Sequence, residues 1–129
     1  MGKNFARGLV VLMAVIALAA GTAHAAGWAW KMSTTPDDVM NFLNGKPPYS
    51  GGAKDVVKVT AASKGSYLEF IVFYQSGGTG GWGWKKATTS NDAMNFLNGT
   101  PPYKPLRAAE VASVSTASGT QFYIFYKHK

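Results

Sequence analysis

Apolar side chains recur at helical spacing in two short segments of the chain, and each segment has the end residues of a helix. Thr35 and Thr89 stand at the N-cap positions, while Gly45 and Gly99 follow the last apolar residues, as left-handed C-terminal residues would. The pattern predicts two helices of about two and a half turns, the first over about residues 36–44. Their apolar residues are Val39, Met40, Phe42 and Leu43 in the first helix, and Ala93, Met94, Phe96 and Leu97 in the second.

Strand-like segments surround each predicted helix. A Trp-x-Trp pair precedes it, and the alternation places both indoles on one face of a strand. A valine-containing segment, a short turn with glycine and a strongly apolar segment follow it, which together predict a hairpin. Each half is therefore predicted to fold as β-α-β-β. The Trp pairs are Trp28 with Trp30 and Trp82 with Trp84, the valine-containing segments begin at Val56 and Val111, and the final strands lie at residues 67–74 and 122–126.

The two halves are related by an internal repeat. Residues 28–49 and 82–103 are identical at 15 of 22 positions, which indicates a tandem duplication. A unit of about 50 residues buries too little surface to be stable alone, so we expect one shared core. The predicted fold is α+β, with six mainly antiparallel strands, two short helices and a pseudo-twofold relation between the repeats.

The final strand of each repeat is apolar on both faces. In the first repeat, Phe70, Val72 and Tyr74 point to one side while Ile71 and Phe73 point to the other. A strand that was half exposed to solvent would show charges on its second face. That face is therefore expected to meet the sister repeat first, or else a second copy of the chain or another protein partner.

The N-terminus has the features of a secretory signal peptide. Lys3 and Arg7 precede an apolar run, and residues 23–25 form a small-x-small cleavage site. The expected organisation is a signal peptide at 1–25, a first repeat at 26–75, a Gly-rich linker at 76–81 and a second repeat at 82–129. The sequence thus predicts an exported protein, placed in the bacterial periplasm or secreted.

The composition excludes some kinds of site and favours some kinds of partner. The chain has no cysteine, which excludes disulfides, thiolate metal sites and cysteine nucleophiles. Without the predicted signal peptide it has 11 basic and six acidic residues, a net charge of +5. Such a charge favours an anionic glycan or a membrane surface as partner, or serves solubility alone. The lysines are scattered, so no specific nucleic-acid surface is indicated.

The tryptophan pairs are the candidate ligand-binding residues. A lysine follows each pair, and indoles beside lysine suit stacking on sugars and contact with anionic groups. The alternative is that the indoles belong to the core. The helix amides Asn41 and Asn95 are further candidates for binding hydroxyl-rich ligands, while Asn44 and Asn98 are expected to serve as ordinary helix-end residues. The candidates are Trp28, Trp30, Lys31, Trp82, Trp84, Lys85, Asn41 and Asn95.

One pair of acidic residues is a candidate for catalysis. Asp55 and Glu110 precede the two valine-containing segments and align as equivalents, and a glycosidase needs two carboxylates at a defined separation. Nothing in the sequence places an apolar pocket around either. His128, near the C-terminus, is the single histidine after the predicted cleavage site, and no metal or cofactor motif is present.

The sequence therefore favours an exported, non-enzymatic binding or assembly module, which binds an anionic or hydroxyl-rich polymer through the repeated aromatic and lysine positions. Two alternatives remain. One is a carbohydrate-active enzyme that uses Asp55 and Glu110, and the other is a structural subunit that oligomerises through its aromatic sheet face.

Overall fold

The computed structural model describes residues 27–129, and the predicted signal peptide at 1–25 lies outside them. The described part of the chain forms six strands and two helices. Their order is β1 (Ala29–Ser33), α1 (Pro36–Asn44), β2 (Val56–Ser63), β3 (Leu68–Gln75), β4 (Gly83–Ala87), α2 (Ser90–Leu97), β5 (Leu106–Thr116) and β6 (Gly119–His128).

The strands form two antiparallel sheets of three strands each. In the first sheet β3 lies between β1 and β2, and in the second β6 lies between β4 and β5. The last strand of each half is thus the central strand of its sheet. The prediction of six antiparallel strands and two short helices is confirmed.

Each helix begins and ends where its sequence predicts. The Thr35 side chain accepts a hydrogen bond from the Asp38 backbone nitrogen at 3.1 Å, and Thr89 does the same for Asp92. Gly45 has a φ of 67°, a left-handed conformation that ends α1. Because a helix of two turns has little stability of its own, packing on the sheet has to hold it.

Both helices pack on the corresponding face of their own sheet. The rings of Phe42 and Tyr74 lie 4.8 Å apart, and those of Phe96 and Tyr126 lie 4.8 Å apart. We call this side of each sheet its helix face and the opposite side its aromatic face. Strand pairing assigns residues to each face. The first helix face contains Val57, Val59, Phe70, Val72 and Tyr74, and the second helix face contains Ala109, Val111, Phe122, Ile124 and Tyr126. The first aromatic face contains Trp30, Met32, Ile71 and Phe73, and the second aromatic face contains Trp84, Ala112, Tyr123 and Phe125.

The sheets meet through different faces. Phe70 belongs to the first helix face, and its ring centre lies 5.2 Å from that of Tyr123 and 6.1 Å from that of Phe125. Tyr123 and Phe125 belong to the second aromatic face. Strands β2 and β5 are in close contact along this joint. A pseudo-twofold axis would bring equivalent faces together, so that expectation does not describe how the halves pack. We call this contact the internal joint.

Two clusters of buried side chains result. The larger fills the internal joint and contains residues of both halves, among them Leu43, Phe70, Trp82 and Phe125. The smaller lies between α2 and the second helix face, around Phe96 and Ile124. Among residues 27–129, none of the helices has the length and apolar character needed to cross a membrane.

Candidate interaction surface

The first aromatic face is an exposed apolar surface. Trp28 and Trp30 are 53% and 64% exposed, and Met32 and Phe73 are 48% and 42% exposed. Trp30 lies directly opposite Phe73 across β1 and β3, so their side chains are neighbours on one face. Lys58 pairs with Phe73 from the other side and places a positive charge at the margin of this face. An apolar group of this size on a small protein is typical of a binding surface.

The matching residues of the second repeat are buried. Trp82 is 5% exposed, Tyr123 is 6% exposed, and Phe125 has no exposure. They occupy the positions of Trp28, Ile71 and Phe73, and their cover is the first helix face. The two repeats therefore present the same kind of face in two states, one covered and one open.

A reciprocal amide contact fastens the internal joint. The side-chain amide of Asn44 donates to the Trp82 carbonyl oxygen at 3.0 Å, and its oxygen accepts from the Trp82 backbone nitrogen at 2.8 Å. Asn44 was expected to serve only the helix end, so the sequence did not reveal this role. Asn98, at the same position of the second repeat, is exposed. Its amide has no such neighbour within residues 27–129.

The indoles of the second repeat also act at the joint. Trp82 donates its indole N–H to the Lys54 carbonyl oxygen at 2.6 Å, and Trp84 donates to the Asp37 carboxylate at 2.7 Å. A buried indole needs such an acceptor for its N–H. Trp82 and Trp84 thus belong to the contact between the repeats, whereas Trp28 and Trp30 face outwards.

The candidate lysines lie on the other side of their strands. Neighbouring residues in a strand point to opposite faces, so Lys31 and Trp30 are separated by the sheet. The Lys31 ammonium lies 4.7 Å from the centre of the Tyr49 ring. Lys85 occupies the equivalent position, 5.1 Å from the Tyr103 ring centre. The structure does not bring either lysine to the tryptophans as one surface.

These lysines belong to a cluster that holds the start of each helix. Tyr103 donates its hydroxyl hydrogen bond to Asp92 at 2.7 Å, and the Lys85 ammonium lies 3.4 Å from the same carboxylate. Burial by itself would lower the pKa of Lys85, but Tyr103 and Asp92 outweigh burial and raise it. Tyr103, and Tyr49 at the same position of the first repeat, therefore pack back on the helix that precedes them.

The helix amides Asn41 and Asn95 stand apart from the aromatic face. Both belong to helices, which pack on the opposite side of their sheets. Their carbonyl oxygens accept from the backbone nitrogens of Lys46 and Thr100 just after the helices. The structure places neither amide beside Trp28 or Trp30.

The two candidate carboxylates are not equivalent. Glu110 pairs with Phe125 in the second sheet, and the matching residue opposite Phe73 in the first sheet is Lys58. The sequence alignment of Asp55 with Glu110 was wrong, because the chain is two residues longer from Asn44 to Lys58 than from Asn98 to Glu110. Burial raises the pKa of Glu110, and the charge of Lys58 opposes that effect.

Asp55 is part of the internal joint. Its carboxylate accepts a hydrogen bond from the ammonium of Lys127, which is 3% exposed, and contacts Thr79 of the linker. Burial would raise the pKa of Asp55, but the bonds from Lys127 and Thr79 outweigh burial and hold this pKa below its ordinary value. An ionised carboxylate that pairs with a buried lysine serves packing between the halves.

The cleft between the two hairpin turns offers little chemistry. It has a volume of about 490 Å³, and serine, threonine and glycine form much of its lining, together with Tyr67, Leu68 and Gln121. Its lining contains no carboxylate, histidine or lysine. Within residues 27–129, no group of three or more histidine, cysteine or acidic residues is placed to hold a metal ion.

Comparison of this chain with protein-family models, with curated proteins and with solved structures finds no match. Its function has therefore to be argued from its own surface. Met32 and Phe73 of the first aromatic face, and Asn44 of the internal joint, were not among the candidates from the sequence. The apolar second face of β3 was the available indication for Phe73.

Proposed function

We propose that this chain is an exported, non-enzymatic assembly module built from two copies of one β-α-β-β unit, of α+β class. Its working surface is the first aromatic face, which binds a protein surface of matching apolar character. The observation that carries the proposal is the contrast between the repeats. Phe73 is 42% exposed, whereas its counterpart Phe125 is fully buried against a protein face.

The chemistry of the exposed face supports a protein partner. Its side chains are large and mostly apolar, and aromatic residues and methionine are the types that protein interfaces favour. The internal joint shows such a contact within the chain, because the second aromatic face packs there against aliphatic and aromatic side chains. The N-terminal signal peptide and the 15 identical positions support export and duplication.

Site-specific cross-linking tests this proposal. A benzophenone amino acid is placed at Phe73 in the exporting cell, and the same group at Ser66, in the β2–β3 turn, is the matched control. We expect ultraviolet light to produce a covalent protein adduct at position 73 and none at position 66. Absence of any protein adduct at position 73 would rule the proposal out.

Polymer binding is the second candidate function. Trp28 and Trp30 are each more than half exposed, which gives stacking surfaces for a hydroxyl-rich or anionic polymer or for a membrane surface. Glycans and anionic vesicles are titrated against tryptophan emission in the wild type and in Trp30→Phe, with Trp84→Phe as control. An emission change that Trp30→Phe reduces and Trp84→Phe leaves intact supports this function. Unchanged emission with every polymer rejects it.

A further inference from the structure

We propose that the partner of the first aromatic face is the second helix face of another copy of this chain, so that copies associate head to tail. This inference rests on the proposed function and names its partner. The internal joint already shows one helix face packed on one aromatic face. Each chain retains one unused face of either kind, and together they form what we call the outer joint.

The second helix face is open where the first is covered. Val111, opposite Ile124, is 40% exposed, whereas its structural counterpart Val59, opposite Val72, is 5% exposed. Leu97 of α2 is 37% exposed, and Leu43 of α1 has no exposure. Both differences arise because the second sheet covers the first helix face. Apart from α2, nothing within residues 27–129 covers the second helix face, so Val111 and Leu97 are left partly exposed.

The polar groups of the internal joint have counterparts on the two outer faces. Asn98 stands where Asn44 does, ready to bond the backbone of Trp28 in a second copy as Asn44 bonds Trp82. The residue that matches Asp37 is Asn91, whose side-chain oxygen is also an acceptor. Asn91 can therefore accept the Trp30 indole N–H, as Asp37 accepts that of Trp84.

The aromatic contacts of the internal joint also have counterparts at the outer joint. Phe122 matches Phe70, and Phe73 and Ile71 match Phe125 and Tyr123, so the central ring contact of the internal joint can form again between copies. One element is missing from the outer joint. Gln75 stands where Lys127 does, so the ion pair with Asp55 has no equivalent there. The outer joint is therefore weaker and reversible.

The geometry of the contact determines the kind of assembly. Two different faces meet, so the contact is heterologous, and each added copy presents the next one with the same open face. Such contacts close into a ring or continue as a filament. A contact between two identical aromatic faces would instead stop at a dimer.

A complementation experiment tests the outer joint with the purified, exported chain. Trp30→Lys places a charge on the first aromatic face, and Val111→Lys places one on the second helix face. Both side chains are exposed in the single chain, so folding is retained. Ser66→Lys adds the same charge at the β2–β3 turn as a control. Sedimentation velocity is measured over a wide concentration range for each protein and for the 1:1 mixture of the two face variants.

We expect the wild type and Ser66→Lys to form species larger than dimers as concentration rises. Each face variant alone should associate at least about tenfold more weakly. Their mixture should form a dimer and nothing larger, since one intact face of each kind remains. If Trp30→Lys fails to fold by circular dichroism, Trp28→Lys replaces it, because Trp28 precedes β1.

Other outcomes overturn the inference in distinguishable ways. A wild type that stays monomeric at every concentration rejects self-association, while an adduct of Phe73 with a different protein would leave the proposed function standing. Association that Val111→Lys does not weaken indicates contact between identical aromatic faces. Asn98→Ala serves as a further probe, since it should weaken association and leave the stability of the monomer unchanged.

Discussion

Asn44 and Asn98 follow the same residues, Asn-Phe-Leu, yet only Asn44 is used between the repeats. Their difference illustrates what a single side chain can gain from its surroundings. A partly buried amide that bonds both backbone groups of Trp82 contributes more stability than one exposed to water. Helix-end chemistry was predictable from the glycine that follows, but the contact with a residue 38 positions away was not.

The residue scale also gives a prediction for the two acids. Asp55→Asn should destabilise the chain by about 1–3 kcal/mol at neutral pH, because buried Lys127 loses its counter-charge. Glu110→Gln should be neutral or slightly stabilising there, because burial disfavours the charged form of Glu110. Urea denaturation of both variants beside the wild type measures this.

The pH dependence provides the matching control. The pKa of Asp55 is lowered in the folded chain, so its ionisation stabilises the fold above its ordinary pKa of about 3.9. That stability is lost as the pH falls through the lowered value. The pKa of Glu110 is raised, so its contribution has the opposite sign and is lost as the pH rises. Equal behaviour of Asp55→Asn and Glu110→Gln would show that the two acids are equivalent after all.

At the scale of elements, the sequence predicts most of what forms. The caps at Thr35 and Thr89, the end of α1 at Gly45 and the β-α-β-β order of elements within each repeat follow from local sequence patterns. The alignment of β2 with β5 could not be obtained in this way. Valine spacing matched Val56 to Val111, whereas strand pairing matches Val59 to Val111, an odd shift that exchanges the two faces.

Helices α1 and α2 yield a second prediction. Leu43→Ala should cost about 2–5 kcal/mol of unfolding free energy, as the loss of a fully buried leucine does. Leu97→Ala should cost less than about 1 kcal/mol, because Leu97 is 37% exposed in the single chain. Thermal or urea unfolding at a concentration too low for association measures both. Similar losses for the two variants would mean that α2 is covered as α1 is.

On the scale of the whole molecule, the decisive fact is which faces meet. The sequence predicts that the apolar second face of the final strand meets the sister repeat, which holds for β6 but not for β3, whose second face is exposed. It contains no information on whether equivalent or different faces pack together, since both repeats have nearly the same pattern. The difference lies in a few substitutions, such as Lys127 in the place of Gln75, that act only once the chain is folded.

Separation of the halves gives the third prediction. Residues 26–77 alone expose the first helix face, and residues 78–129 alone expose Trp82, Tyr123 and Phe125. Neither half should then fold cooperatively, because a unit of about 50 residues has little core to spare. The dispersion of amide resonances in each half reports this, and mixing the halves should restore it. Native-like dispersion in an isolated half would contradict a shared core.

The Gly-rich linker affects how copies of this chain assemble. Thr79 is fastened to Asp55, and a Cβ at Gly78 would lie 2.6 Å from the Asp55 backbone nitrogen, so this tether follows the first repeat closely. A short tether gives its two ends an effective concentration of the order of millimolar. Each chain therefore closes its own joint before it meets a neighbour. Any assembly of this protein gains two repeats with each chain that is added, and the number of repeats in it is always even.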